Sequence, residues 1–366
     1  MLNDEFITVV AAGLPYSGWE RVQVTAGLDE ASRTFSLETS ERIGEWKFPP
    51  GTPIQILTNG DLLVSGYVNA YEASADANSH RISIRGRSKS QDLVDSSAEH
   101  DTGFFEEEDP GAALKKLDKF GVGVKVKVPL IKEAYMQLKQ GESPFQFADR
   151  YLRSQGVTMM GKADGSVEVT NASVAESHFG ILMEGQNIKS CQVSLTDGSR
   201  HSKYIVKGQR RRGTGASALR VKESRNDPGV KRHRPKVLVQ ETDTDPKRAR
   251  ARAETEANRQ AGRSISASVH TQGFRDMAGL LFEPNKLIYV HAPILMHMTQ
   301  TMLIERVTFT QDARSGSIAE LTLVDPRAHK GKRAGKGGAV DADQPDAEAP
   351  PTDEVWTEGF DEGAEY

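Results

Sequence analysis

An internal repeat is the feature that most constrains how this chain of 366 residues folds. Residues 50–56 (PGTPIQI) resemble residues 284–290 (PNKLIYV), which lie 234 positions later. Two further matches follow in the same order at a spacing of 239 positions: Val68 and Ala70 with Val307 and Phe309, and Ile82 and Ile84 with Leu321 and Leu323. Ordered matches of this kind indicate that a small β-barrel was duplicated within the chain.

Both copies of the repeat lie in segments with the alternating pattern of β-strands. In residues 1–97, apolar residues recur at every second position in short stretches, as at Val22 and Val24, and turn-forming residues separate these stretches. Short alternating strands with turns between them predict a small barrel or sandwich. The same patterning returns in residues 191–327 and predicts the second barrel.

The intervening residues 98–190 have the pattern of a compact α+β unit. Asp109 precedes a Pro and has the position of a helix N-cap, and Ser143 with Gln146 forms a capping box for a second helix. Gly156 is expected to end that second helix. Two short apolar stretches separated by a polar turn follow, and they predict a hairpin.

The C-terminal region is strongly acidic. Residues 341–366 contain ten Asp and Glu residues and no Lys or Arg. A segment with dense charge of one sign and few apolar residues does not bury enough surface to offset its ordering entropy. We therefore expect residues 328–366 to be a flexible tail. The late aromatic residues Trp356, Phe360 and Tyr366 leave open a second interpretation, in which the tail docks onto a partner.

A basic segment interrupts the second β region. Residues 200–263 contain 19 Lys and Arg residues against 7 Asp and Glu residues. This balance is typical of phosphate binding, but few aromatic residues are interleaved for base stacking, so a solvated face or a subunit contact is the competing interpretation. A helix is predicted over residues 245–262, with small residues at every fourth position: Ala249, Ala253, Ala257 and Ala261.

Motifs for catalysis or ligand binding were sought and not found. The single Cys191 excludes a disulfide framework and a Cys-rich metal site. The sequence has no phosphate-binding Gly loop, no His pair with metal-ligand spacing and no nucleophile elbow. His291 and His297 flank a predicted loop and are interpreted as surface or packing histidines. The carboxylates of residues 106–109 are explained by stabilisation of the N-terminus of the next helix. We therefore predict no catalytic, cofactor-binding or metal-binding residues, and no enzyme.

Membrane insertion is also not predicted. The longest apolar runs are far shorter than the roughly 18 residues that a transmembrane helix needs. Asp4 and Glu5 precede the mildly apolar N-terminal run, at the place where a signal peptide carries positive charge. We expect a protein that is made and kept in the cytoplasm unless a larger assembly carries it out.

Together these patterns predict an α+β fold that is mainly β. Its parts are a first tube-like β-barrel domain (residues 1–97), an inserted α+β domain (98–190), a second, similar barrel domain (191–327) and a disordered acidic tail (328–366). Two like barrels in each chain have a geometric consequence. A ring of three chains would present six similar barrels and would seat against a sixfold ring.

Several segments resemble one known family. They are the early strands around Val22 and Phe35, the central helix of residues 143–152 (SPFQFADRYL), the helix around residues 248–262 and the strands around Ile304 and Leu321. Over about residues 1–327 the chain resembles the baseplate hub proteins of contractile-tailed phages. The resemblance is to the Mu-like tail hub in particular, which is grouped with the phage late control proteins.

The resemblance implies a structural role in the virion. Similar proteins form homotrimeric rings that join the hexameric tail tube to the trimeric central spike and leave a channel through which DNA passes. It therefore implies a homotrimer that is assembled in the host cytoplasm and contacts the tail tube protein, the central spike protein and other baseplate proteins. Related secretion-system proteins continue into a spike on the same chain, whereas here the spike would be a separate protein.

Two functions of other classes stay open on the sequence alone. The first is a nucleic-acid-binding β-barrel protein that uses residues 200–263 on phosphates, which predicts a steeply salt-dependent affinity for DNA. The second is a cell-wall hydrolase of the tail tip, which would depend on Glu106 or Glu108.

Overall fold

The computed structural model describes residues 5–40, 48–76, 80–210, 215, 219–240, 244–293 and 298–330. Of the predicted tail, residues 331–366 lie outside these described residues, whereas its first residues Ala328 and His329 are buried in a 3₁₀ helix, so the predicted start at 328 is too early. The first segment contributes seven strands and a short helix: β1 (Ile7–Ala11), β2 (Leu14–Tyr16), β3 (Arg21–Gly27), β4 (Thr34–Thr39), β5 (Pro53–Thr58), β6 (Asp61–Ala75), β7 (His80–Ser88) and α1 (Gln91–Asp95).

A separate α+β unit follows. Its elements are β8 (Phe104–Glu108), α2 (Pro110–Leu117), β9 (Val124–Val126), β10 (Glu133–Gln137), α3 (Pro144–Leu152), a 3₁₀ turn (Arg153–Gln155), β11 (Thr158–Gly161), β12 (Val167–Thr170) and a second 3₁₀ turn (Ala172–Val174). The carboxylate of Asp109 accepts hydrogen bonds from two main-chain N–H groups of α2, and Ser143 and Gln146 make both bonds of the capping box of α3. The predicted helix starts and the β11–β12 hairpin are therefore confirmed.

The rest of the chain returns to strands. These are β13 (Glu176–Met183), β14 (Ile188–Leu195), β15 (Lys203–Gln209), β16 (Arg220–Asn226), β17 (Pro235–Val239), then α4 (Pro246–Arg263), β18 (Ile265–Gln272), β19 (Lys286–Ala292), β20 (Met298–Asp312), β21 (Gly316–Val324) and a 3₁₀ helix (Pro326–His329). Strands β15 to β17 form a small sheet of their own, and α4 packs on it. All four alanines of the predicted stripe are buried, because they face this sheet and the 3₁₀ helix Pro326–His329.

The two β segments form one sheet rather than two closed barrels. A sheet of 13 strands runs in the order β14-β18-β21-β20-β3-β4-β7-β6-β5-β1-β2, and β19 and β13 branch from β20. Antiparallel pairing of β3 with β20 joins the two segments. One hydrophobic core contains residues of both, such as Leu37 and Leu321. The mainly β class is confirmed, but within the described residues the predicted closure of each barrel is not.

The duplication is visible in the hydrogen-bond registers. The strand order β3-β4-β7-β6-β5-β1 of the first segment corresponds to β14-β18-β21-β20-β19-β13 of the second. Four facing pairs of the first half each have a corresponding facing pair in the second half. The pair Val24–Phe35 corresponds to Val193–Ala267, Leu37–Ile84 to Val269–Leu321, Val68–Gly86 to Ile304–Leu323, and Ile54–Gly66 to Ile288–Met302. The register shifts directly after Val68 in β6 and directly after Ile304 in β20.

The registers correct part of the predicted repeat. The spacing of 234 between Ile54 and Ile288 is right, because both face equivalent residues. The spacing of 239 is wrong, since the counterpart of Val68 is Ile304, 236 positions later, and that of Gly86 is Leu323, 237 positions later. The predicted match joins Val68, which precedes the register shift in β6, to Val307, which follows the corresponding shift in β20. A β-bulge changes which positions of a strand face inward, so apolar residues on opposite sides of it are not equivalent.

Two features break the equivalence of the halves. Strand β1 is antiparallel to β5, whereas β13 occupies the corresponding place in parallel with β19. The predicted α+β unit of residues 98–190 includes the residues of β13, but this strand belongs to the large sheet. Facing side chains have also exchanged sizes: Phe35 faces Gly86 in the first half, and Ala267 faces Leu323 in the second.

A buried arginine connects the large sheet to the α+β unit. The Arg33 guanidinium donates hydrogen bonds to the carbonyl oxygens of Leu63 (2.8 Å) and Gly161 (3.1 Å). Its remaining nitrogen lies 3.9 Å from a carboxylate oxygen of Glu283, which also pairs with Lys162 at 3.6 Å. Burial is the main influence on Arg33 and lowers its pKa, against the opposing effect of Glu283. One side chain thus contacts three separate stretches of the chain.

Gly86→Ala is expected to destabilise the sheet. A Cβ atom at this position would lie 2.1 Å from the carbonyl oxygen of Tyr67 and 2.3 Å from the Phe35 ring. Overpacking of this kind costs about 1–3 kcal/mol of unfolding free energy. Denaturant unfolding measures the loss, with Ser83→Ala on the same strand as the control that should change stability by less than about 0.5 kcal/mol. Equal stability of the two variants would contradict the close contact.

Arg33→Met is expected to lower the unfolding free energy by about 1–3 kcal/mol, because two buried carbonyl oxygens lose their donor. The matched control is Arg85→Met, since Arg85 is on the surface and pairs only with the exposed Glu72. Thermal unfolding of both variants tests the difference. A loss for Arg85→Met as large as that for Arg33→Met would contradict a special role for Arg33.

Candidate assembly surfaces

Strands β14 and β6 of the large sheet have edges that are open within the described residues, as do the outer strands β2 and β13. Strand β14 pairs with β18 on one side and with no described strand on the other. The second half of β6, residues 69–75, pairs with β7 only, because the pairing of β5 with β6 ends at Tyr67. An open edge presents a row of main-chain N–H and C=O groups that is ready to pair with another strand.

The side chains on these edges are more exposed than their counterparts in the other half. Leu195 at the end of β14 is 56% exposed, whereas Ala26, its counterpart on β3, is fully buried. Ala73 on β6 is exposed, whereas its counterpart Phe309 on β20 is 3% exposed. The difference arises because β3 and β20 pair with each other and cover these positions.

Several cations of the basic segment are paired with carboxylates where the structure describes it. Arg200 makes two hydrogen bonds of 3.0 Å with the buried carboxylate of Asp227. Lys236 pairs with Glu256 at 3.0 Å. Further pairs reach outside the segment: Arg232 with Asp197, Arg248 with Glu133 and Arg263 with Asp29. Arg211 and Arg212 lie outside the described residues, and the phosphate-binding interpretation stays a prediction.

The acidic run of residues 106–109 has structural roles. Asp109 caps α2, and Glu108 pairs with Lys116 of the same helix at 2.9 Å. Glu106 is exposed on β8, opposite the exposed Tyr135 of β10. Two carboxylates of this run, those of Glu108 and Asp109, therefore already stabilise the start of α2, which leaves the hydrolase interpretation with less support.

A cluster of ionisable groups, absent from the sequence analysis, lies beside the seam between β3 and β20. One ring nitrogen of His329 lies 2.8 Å from a Glu305 oxygen and the other 3.4 Å from an Asp29 oxygen. Burial alone would raise the pKa of Glu305, but the hydrogen bond and charge of His329 keep it below its ordinary value. These donor types could ligate a divalent cation, yet both histidine nitrogens already face carboxylates. No sequence signal could reveal the cluster, because its members are far apart along the chain.

The other residues singled out from the sequence do not come together. His291 lies on β19 and is half-buried, and His297 lies outside the described residues. Cys191 lies on β14, and burial raises the pKa of its thiol. In the part of the chain that the structure describes, no helix has the length and apolarity to cross a bilayer.

Known baseplate proteins are similar to this chain. Three family models match the chain: "Mu phage baseplate assembly protein GpP-like, N-terminal" at residues 6–88, "Baseplate hub protein gp44-like, second domain" at 90–171 and "Mu phage baseplate assembly protein GpP, fourth domain" at 245–331. Together they account for well over half of the sequence.

Individual relatives agree with the family models. The baseplate hub protein gp44 of Escherichia phage Mu is 25% identical over 339 residues, which is 87% of each chain. The crystal structure of a 43 kDa tail protein of prophage MuSo2 from Shewanella oneidensis has a TM-score of 0.80 and 27% identity. That match covers 88% of this chain and 99% of the other.

A tail protein from Neisseria meningitidis MC58 shares the fold. Its TM-score is 0.76 at 18% identity, and the match covers 89% of this chain and 99% of that one. The homologues are structural proteins of the virion tail. The family models, the Mu relative and the structural neighbours agree with the resemblance seen in the sequence, and this chain belongs to the Mu-like phage baseplate hub proteins.

Proposed function

We propose that this protein is a homotrimeric hub that joins the sixfold tail tube to the trimeric central spike and leaves a channel for DNA. The observation that carries the proposal is the registered duplication. Each chain contains two sets of six strands in the same order, with equivalent residues facing one another. A ring of three such chains presents six similar sets of strands, so the ring can bind a sixfold partner. Because the ring itself has threefold symmetry, it can also bind a threefold partner.

The proposal assigns different work to the parts of the chain. The two repeated β segments, within residues 1–97 and 176–327, form the ring, and the α+β unit of residues 98–175 lies outside it. Two observations support this division. The core of the α+β unit is separate from that of the large sheet, and its contact with the sheet includes the buried Arg33. We further propose that the protein acts by holding its partners in place and not by catalysis.

The competing nucleic-acid function finds less support. Its segment, residues 200–263, contributes a small sheet and a helix, and several of its cations, such as Arg200, Lys236 and Arg248, are already paired with carboxylates. A phosphate-binding surface instead needs cations that are free to displace counterions from DNA. The isolated protein is therefore expected to bind DNA weakly.

The mass of the full-length protein in solution tests the trimer. Light scattering is expected to give three times the 40.1 kDa of one chain. The measurement should be repeated over a wide concentration range, since subunit association follows mass action. A particle that stays a single chain at the highest concentration would contradict the proposal.

Native mass spectrometry of a co-expressed complex tests the adaptor role. The hub is produced together with the tail tube protein and the central spike protein of the same phage. A complex with six tube chains, three hub chains and three spike chains is expected, because the hub matches both symmetries. A trimeric hub that retains neither partner would leave the oligomer intact and overturn the adaptor function.

A further inference from the structure

We infer that neighbouring subunits join by antiparallel pairing of β14 of one chain with the second half of β6 of the next, in the register that places Ala75 opposite Cys191. The occupant of each open edge is therefore a second copy of this chain. The inference rests on the proposed trimer and adds the residues that form its contacts.

The template for this contact is the pairing that joins the two halves within one chain. Strands β3 and β20 pair over seven residues, from Arg21 opposite Asp312 to Gly27 opposite Arg306. One strand comes from the first copy of the repeat and the other from the second. In this seam Val24 faces Phe309, and Val22 faces Gln311.

The repeat identifies the counterpart of each strand in the seam. Strand β14 corresponds to β3, because Val193 faces Ala267 at the place where Val24 faces Phe35. Each residue of β3 thus has its counterpart 169 positions later. Strand β6 corresponds to β20, because the register shift after Val68 in β6 matches the shift after Ile304 in β20. The counterpart of each β20 residue therefore lies 236 positions earlier, in β6.

Transferring the seam to these counterparts predicts the register between subunits. Val22 faces Gln311 within the chain, so Cys191 of one subunit is predicted to face Ala75 of the next. Val24 faces Phe309 within the chain, so Val193 is predicted to face Ala73 of the next subunit. Ser74 then lies opposite Gln192, with its side chain on the other face of the sheet, because successive side chains alternate. Both strands that this pairing needs have an open edge among the described residues, and of the open edges, which also include β2 and β13, only these two are counterparts of the seam strands.

Exposure of the apolar residues supports the same pairing. The inward-facing apolar residues of the seam, such as Val24, Ala26 and Phe309, are buried. By contrast, Leu195, Ala73 and Ala75 on the open edges are exposed. Long open edges with apolar side chains favour uncontrolled association unless something covers them. Each chain offers one edge of each kind, so the contact is head-to-tail and closes into a ring when the rotation between subunits permits. Three chains then alternate three internal seams with three between subunits.

A single substitution tests the register, because the chain supplies the other cysteine. Ala75→Cys in the full-length protein places a second thiol opposite Cys191 of the neighbour. Facing Cα atoms of an antiparallel pair lie about 4.5–5.5 Å apart, within the range that a disulfide spans. Oxidation with copper phenanthroline, which accepts the two electrons of each bond, is expected to give covalent trimers on a non-reducing gel.

Matched controls separate the register from chance collisions. Ser74→Cys directs its thiol to the other face of the sheet, and Ala75→Cys combined with Cys191→Ser has no partner thiol on β14, so both are expected to stay as single chains on the gel. Ala73→Cys with Val193→Cys in a Cys191→Ser background should cross-link like Ala75→Cys, since these positions form the next inward-facing pair.

The outcomes distinguish this inference from the function on which it rests. A variant that has the mass of three chains in solution but forms no cross-link at either position overturns the register and leaves the trimer standing. Equal cross-linking of Ser74→Cys and Ala75→Cys also overturns the register. A wild-type protein that is a single chain at all concentrations removes the proposed function and the inference together.

Discussion

Main-chain pairing between β3 and β20 is the interaction on which the architecture depends. Without it, the two copies of the repeat would be separate sheets, each with an open edge and half of a core. With it, apolar side chains of both copies, including Val24 and Phe309, pack in a single buried cluster. The duplication is thus more than a feature of the sequence. It creates a seam within the chain whose geometry can be reused between chains.

The two copies have diverged while four of their five strand pairings stayed the same, since only β13, parallel to β19, departs from its counterpart β1. Where the first copy places Phe35 against Gly86, the second places Ala267 against Leu323, so a large side chain faces a small one in both. Close packing explains this exchange, because a core tolerates a change of shape when the volume of the facing pair is conserved. The copies also differ in their attachments. The first connects through Arg33 to the α+β unit, and the second carries β15–β17 and α4.

Local signals in the sequence predicted the local elements well. The caps at Asp109 and Ser143 place the starts of α2 and α3, and the segment with alanines at every fourth position forms α4, because these patterns depend on residues within a few turns. The mainly β class and the duplication could also be predicted from alternation and order. The spacing of 239 was wrong for two reasons. An alternating pattern matches equally well after a slip of two residues, as happened for Ile84, and the bulge after Val68 changes which residues of β6 face inward.

Features that depend on distant contacts could not be predicted. Nothing near β3 or β20 indicates that residues almost 300 positions apart pair, so closed barrels were predicted in place of one joined sheet. The cluster of His329, Glu305 and Asp29 was missed for the same reason. The open edges of β6 and β14 were likewise out of reach, since an edge is defined only by which neighbours a strand has in three dimensions.

Hydrogen exchange along β14 in the assembled protein is the most direct measure of whether this strand repeats the role of β3. In an antiparallel pair, alternate amides point to opposite edges, so β14 on its own leaves every second amide open to solvent. If β14 pairs with the next subunit, the amides directed away from β18 exchange as slowly as those of β3. Fast exchange of those amides in a particle of three chains would show that the trimer forms through other surfaces.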